Sequence, residues 1–421
     1  MNRPLGFAAL AAFALGAGSA FAQGAVELRY MCYADANECT VARELLDRFE
    51  RANPGIRVIV DTVGFNVVRE QLETRLQAGT GPDMARVTNL GGLNRYYLDL
   101  RPHVNAAYWD ENFGQTLNWM RVGPNDRGIY GFLTQLTVTG PFVNKTLFAE
   151  AGVAVPGANA TWDDWAAAIK QVQQKLNVYS GIEMDRSGHR FAGPAMSYGA
   201  RYFDANGRPA VVDDGFKAFA ERMVRWHREG LMKEIWPGAS GARWRNAADQ
   251  FINRDTIMHV AGSWMIQRYS ETIGDRFEWV AIPQPCGPAG CAAMPGGAAM
   301  VAFKHTRNPQ AVARVMEFMA SEPILKEYYE RTLQIPAHKG LAARGLDYGP
   351  NVAPQAIAAL KAFTANYAKV PDVAHRLQGY ERNVAVFNAT VNHLSQAITG
   401  GLTLNEAYEK IDQEIRQAVG N

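Results

Sequence analysis

A chain of 421 residues is too long for one hydrophobic core, so about two domains are expected. Its 43 Lys and Arg against 41 Asp and Glu leave a formal net charge of +2. That balance gives no electrostatic reason to expect nucleic acid or an acidic surface as partner.

The first segment reads as a secretory leader over residues 1–22. Arg3 precedes an uncharged run from Leu5 to Gly18, and Ala20-Phe21-Ala22 forms a small-x-small cleavage signature. The run is too short and too rich in Ala and Gly for a membrane anchor, which needs roughly twenty strongly apolar residues. No Cys follows the expected cleavage site, so a lipid anchor is not expected. Val26 to Tyr33 then alternates as a strand, and Thr40 is placed as the cap of a helix whose Val41, Leu45, Phe49 and Ala52 share one face. Asn53-Pro54-Gly55 stops that helix, Ile56 to Asp61 forms the second strand, and Val68, Leu72 and Leu76 make the next helical stripe, ended by Gly79. Strands alternating with helices in this way predict βα units and a mainly parallel sheet. Later helices are marked by Thr161 with Asp164, by Asn308 before Pro309, and by Thr403 with Glu406. The uncharged stretch from Val280 to Phe303 carries four prolines and reads as loops, not as a membrane span.

The four cysteines fall into two close pairs, Cys32 with Cys39 and Cys286 with Cys291. In an oxidising compartment such pairs read as local disulfides. A metal site needs soft ligands at tighter spacing, and no His stands beside either pair. Neither metal nor cofactor is expected.

Catalytic motifs are absent or incomplete. Ala195-Met196-Ser197-Tyr198-Gly199 approaches a nucleophile elbow but lacks its first Gly and a preceding apolar strand. Gly79-Thr80-Gly81-Pro82-Asp83 opens like a dinucleotide loop, yet Pro occupies its interior and it follows a helix. The eight histidines are scattered. No catalytic residue is assigned.

The order of segments says more than any single motif. Leu46-Asp-Arg-Phe-Glu-Arg-Ala-Asn-Pro-Gly-Ile-Arg-Val58 is followed by Leu76-Gln-Ala-Gly-Thr-Gly-Pro-Asp83, Leu98-Asp-Leu100 and Gly128-Ile-Tyr-Gly131. Next come Val143-Asn-Lys-Thr-Leu-Phe-Ala-Glu-Ala-Gly-Val153, Thr161-Trp-Asp-Asp-Trp165, Ala261-Gly-Ser-Trp264, Ile282-Pro-Gln-Pro285 and Gly296-Gly-Ala298. Over nearly its full length the chain resembles the family 1 extracellular solute-binding proteins of ABC importers. It departs from them at Leu133, where such a protein commonly has Pro.

The resemblance implies an α/β, two-lobed periplasmic-binding-protein fold of type II character, each lobe a mainly parallel sheet flanked by helices, with a hinge between them. Lobe 1 takes 24–137 and 284–336, and lobe 2 takes 138–283 and 337–421. It implies a monomeric periplasmic receptor, not an enzyme, that captures a carbohydrate and hands it to the transmembrane subunits of an ABC permease. Ligand candidates come from loops at strand ends: Tyr33, Asp35 and Asn37 in the first, then Asn66, then Thr88 and Asn89. Gln135 and Thr137 belong to the first crossover, Gly297 and Ala298 to a close-approach loop, and Arg376 to a late connection. Trp264 is the expected platform for the apolar face of a sugar. The two cysteine loops are expected at the cleft edges. A phosphorylated or sulfonated polyol is the alternative ligand and requires Arg376, Arg201 or His189 to face the cleft. A secreted carbohydrate-active hydrolase is the more remote alternative.

Overall fold

The protein is described by a computed structural model over residues 25–123 and 125–420, so the expected leader and its cleavage site lie outside the described residues. Among the described residues no helix is long and apolar enough to cross a membrane. Among these residues eight strands form the sheet: β1 Val26–Tyr33, β2 Ile56–Val63, β3 Met84–Val87, β4 Gly131–Asn144, β5 Ser180–Met184, β6 Thr256–Gly262, β7 Trp279–Ala281 and β8 Pro295–Ala302. Their order is β2-β1-β3-β8-β4-β6-β5, with β7 paired to β4.

The outer pairs β1/β2, β1/β3 and β5/β6 are parallel, as strand-helix alternation requires. The centre is antiparallel, because β4 and β8 are crossing strands that run against their neighbours. β4 is buried along all 14 residues. Its first part, Gly131 to Val138, pairs with β8, and its second part, Thr139 to Asn144, pairs with β6 and β7. One strand therefore threads both halves of the molecule. Gly131 permits the close approach of β4 to β8, since a Cβ there would stand 2.2 Å from the Met300 carbonyl oxygen. The register shifts between Leu133 and Gln135, a bulge at Thr134, whose hydroxyl donates to the Ala298 carbonyl at 3.0 Å.

The first helix spans Glu38–Ala52 and buries Val41, Leu45 and Phe49. Thr40 lies inside it and does not cap it, because the start is fixed elsewhere: the Glu38 carboxylate reaches back to accept the N–H groups of Asp35 and Ala36 at 3.0 and 2.9 Å. The helix Phe65–Gln77 buries Val68, Leu72 and Leu76, and Gly79 follows with φ +67°. Capping boxes form at Thr161 with Asp164 and at Thr403 with Glu406. Asn308 stands at a helix start with Pro309 behind it but makes no side-chain cap.

The apolar interior gathers into two contiguous cores. One includes Leu28, Leu45, Trp109, Phe132, Phe142, Met300 and Tyr329, and the other Val143, Phe191, Phe219, Trp236, Met258, Leu394 and Ile411. The boundary expected at 137/138 falls within the continuous strand β4.

Both cysteine pairs are bonded, Cys32 to Cys39 and Cys286 to Cys291. The first staples the end of β1 to the first helix. The second does not edge the cavity described below. Its loop packs on the helix Gly188–Ser197 through Ala289 N–H to the Ser197 carbonyl at 2.9 Å, and beside Trp162, whose N–H meets the Cys286 carbonyl at 3.0 Å. Each small closed loop contributes about 2–3 kcal/mol by restricting the unfolded chain. Reduction of both is expected to lower the melting temperature by several degrees in scanning calorimetry. Unchanged melting after reduction verified by mass spectrometry would show that they restrict nothing.

Candidate ligand-binding site

A cavity of about 570 Å³ opens where β1 and β3 end and the crossing strands pass, a volume within the range of small-ligand sites. Tyr33, Asp35, Phe65, Arg69, Thr88 and Asn89 line one side; His189, Arg190, Trp244 and Phe387 line the other. Gln135, Thr137, Trp264, Gly296 and Gly297 form the floor.

The first side is organised by Arg86, which is fully buried on β3. Its guanidinium lies 4.1 Å from the centre of the Tyr33 ring and donates to the Tyr33 carbonyl at 2.8 Å and to the Gln135 amide oxygen at 2.5 Å. The Thr134 bulge is what brings Gln135 to this position. The Asp35 and Glu38 carboxylates stand 3.5 and 3.7 Å from Arg86. Burial, reinforced by the neighbouring Glu38, pushes the Asp35 carboxyl up to about 6, against the pull of Arg86 and Arg190.

The second side is organised by Arg190, on the helix Gly188–Ser197. Its guanidinium lies 4.0 Å from the Trp264 ring centre, 2.8 Å from His189 Nδ1 and 3.6 Å from the Asp185 carboxylate. Burial holds the His189 imidazole down to about 3, so it is neutral. That assigns Nδ1 as the acceptor for Arg190 and Nε2–H as the donor to the Pro295 carbonyl at 3.0 Å. Asp185 is fully buried and also takes the Ala247 N–H at 3.2 Å and His259 Nε2 at 2.7 Å.

Of the residues expected at the site, Tyr33, Asp35, Thr88, Asn89, Gln135, Thr137, Trp264 and Gly297 all line this cavity, and so does His189. Four others do not. The Asn37 amide donates instead to the Arg331 carbonyl at 3.0 Å. Asn66 stands one position after Phe65, a rotation of about 100° that turns it off the face carrying Phe65 and Arg69. Ala298 is buried in β8 opposite Gln135, its backbone engaged by the β4 ladder. Arg376 is exposed, donating to the Gly207 carbonyl at 3.1 Å and lying over the Phe203 ring. Arg201 is also remote, with 84% of its side chain exposed.

Trp264 is a floor and not an open platform. It is 6% exposed, Arg190 covers one face, and its ring rests so close to Gly262 that a Cβ there would stand 2.0 Å from it. The accessible aromatic surface comes from residues the sequence reading did not select. Phe65 lies 4.9 Å from Tyr33 and 5.0 Å, edge-on, from Trp244, and Phe387 also lines the cavity. Trp244 Nε1 is buried with no hydrogen-bond partner among the described residues. The available signal was a Trp set among Arg243, Arg245 and Asn246, in a segment with no apolar period to bury it.

The serine of the incomplete elbow is not held as a nucleophile. Ser197 is buried near the end of a helix, and its hydroxyl donates to the Pro194 carbonyl at 2.6 Å. Among the described residues no three His, Cys, Asp or Glu gather as a metal site.

Two halves threaded by one long strand, with an aromatic and polar cavity between them, define the class of two-lobed solute receptors. The chain belongs to the bacterial extracellular solute-binding protein family, whose model matches residues 38–324. Among curated relatives it is similar to the maltodextrin-binding protein MdxE of Bacillus subtilis, 23% identical over 378 residues, covering 87% of this chain and 86% of that protein. Its fold matches the ABC substrate-binding protein Lmo0181 of Listeria monocytogenes, solved with cycloalternan, at a TM-score of 0.78 and 17% identity over 94% of this chain and 99% of that one. It also matches the GacH receptor of Streptomyces glaucescens, solved unliganded and with acarbose, at 0.77 and 17% over 94% and 98%.

Proposed function

We propose that the protein is the periplasmic substrate-binding component of a carbohydrate ABC transporter. It captures a mono-, di- or oligosaccharide between its lobes and passes it unaltered to the permease subunits. In this reading 24–137 with 284–336, and 138–283 with 337–421, move as the two lobes and close about the crossing strands β4 and β8. The protein works as a monomer, without catalytic group, metal or cofactor. The observation that carries the reading is the pairing, in one cavity, of aromatic faces from Phe65, Trp244 and Phe387 with the polar groups of Asp35, Asn89, Gln135 and Arg190. A pyranose presents the complementary pair of surfaces, an apolar CH face and a rim of hydroxyls. Sugar-receptor names among the relatives, such as the maltodextrin-binding protein, support it.

Intrinsic fluorescence titration against a sugar panel tests this. A saturable change is expected, diminished in Trp244→Phe, with the sugar recovered intact by mass spectrometry. Cleaved sugar would make the protein a hydrolase, and no saturable change across the panel would remove the carbohydrate assignment.

A further inference from the structure

We propose that the preferred ligand is an acidic saccharide whose oxyanion seats between Arg69 and Arg190, a deepening that rests on the sugar-receptor reading. The two guanidiniums come from opposite sides of the cavity, Arg69 from the helix Phe65–Gln77 and Arg190 from the helix Gly188–Ser197.

Among the described residues only Arg190 has a carboxylate within 4.0 Å. Arg69 donates to the neutral Asn388 amide oxygen at 3.2 Å, and among the described residues no carboxylate stands within 4.0 Å of it. Arg190 is 13% exposed, and its one carboxylate, Asp185 at 3.6 Å, is shared with His259 and the Ala247 N–H. Burial holds both guanidiniums below their ordinary range; the charge of Glu70 offsets this in part for Arg69, and the charges of Asp185 and Asp35 offset it in part for Arg190, which the nearby charge of Arg69 lowers further. Two guanidiniums drawn out of water thus line one cavity. An anion between them compensates their lost hydration and favours closure.

The acidic groups of the cavity do not supply that anion. Glu73 pairs with Arg95 at 2.5 Å, Glu70 is exposed, and Asp35 is held against Arg86 at 3.5 Å. Arg190 is also preset for an oxyanion: stacking on Trp264 and the bond to His189 fix the plane of its fork, which a carboxylate or phosphate can meet with two parallel hydrogen bonds. A neutral sugar compensates that lost hydration less well, so the same arrangement discriminates against it.

Calorimetric titration of the full protein with D-glucuronate, glucose 6-phosphate and glucose, and with the corresponding disaccharides, tests the assignment. Charge-assisted hydrogen bonds predict an affinity about 10- to 100-fold higher for the acidic sugar than for its neutral counterpart. The preference should weaken with added salt and collapse toward unity in Arg69→Gln. The stronger of the carboxylate and phosphate arms names the oxyanion. If Arg190→Gln fails to fold, Arg69→Gln alone decides. Equal or tighter binding of the neutral sugar, or an acidic preference unchanged in Arg69→Gln, overturns the inference and leaves the sugar receptor standing; no binding of either overturns both.

Discussion

Arg86→Met is expected to lose about 3–5 kcal/mol of folding stability, the range for removing one member of a buried ion pair. The side chain is wholly enclosed, and its removal strands the Tyr33 carbonyl and the Gln135 amide as well as the charges of Asp35 and Glu38. The loss arises mainly from the carboxylates left without a cation. Arg86→Met combined with Glu38→Gln should therefore recover part of it, a coupling that two independent surface sites would not show. Urea denaturation supplies the measure through a lower midpoint at an unchanged slope. A cost below about 1 kcal/mol would mean that water reaches the network and that Arg86 does not organise this wall. Because Tyr33 and Asp35 line the cavity, the variant should also bind sugar more weakly than its residual stability alone explains.

How much of this was readable beforehand depends on whether the cause was local. The strand at Val26, the stripe of Val68, Leu72 and Leu76, and the capping boxes at Thr161 and Thr403 follow from alternation, helical period and cap chemistry within a few residues. The loops after β1 and β3 were legible as a site because parallel strands deliver their ends to one edge. What escaped was set by contacts distant in sequence. Thr40 satisfies a capping rule, but the Glu38 carboxylate and the Cys32–Cys39 bond begin the helix earlier. Trp264 reads as an exposed aromatic in a turn, yet Gly262 lets its ring lie on the backbone and Arg190, more than seventy positions earlier, covers it. The sequence points to Arg376 in this connection, while Gln378 reaches the cavity. Two positions on a helix turn about 200°, so choosing one of them sends the other to the opposite face. Arg69 and Arg190 carried no signal, because nothing local says that two basic residues 121 positions apart share one cavity.

Asp35→Asn is expected to be more stable than the parent at neutral pH, by about 2–3 kcal/mol, and to lose that advantage as the solution is acidified from about 6 toward 4. The sign follows from proton linkage. The folded protein raises the Asp35 carboxyl from its ordinary 3.8 to about 6, so between those values the native state holds the proton more firmly than the unfolded chain does. Stability from this group is therefore fully present below 3.8, falls as the pH rises through the window, and is lowest and constant above about 6. Placing the carboxylate in the cavity costs at most about 3 kcal/mol at 1.36 kcal/mol for each tenfold change in proton affinity, and the weaker contact of Asn with Arg86 returns some of that. Chemical denaturation of both proteins at several pH values between 4 and 8 gives the difference directly. Taking the difference removes the titration of groups common to both, such as Asp110 and Asp163, whose carboxyls are held low by Arg101 and Arg222. A gap that stays constant across that range would mean that Asp35 is ordinarily solvated. A gap that closes below about 6 locates a standing destabilisation at the cavity wall, the cost expected of keeping a charged acceptor at the proposed ligand site.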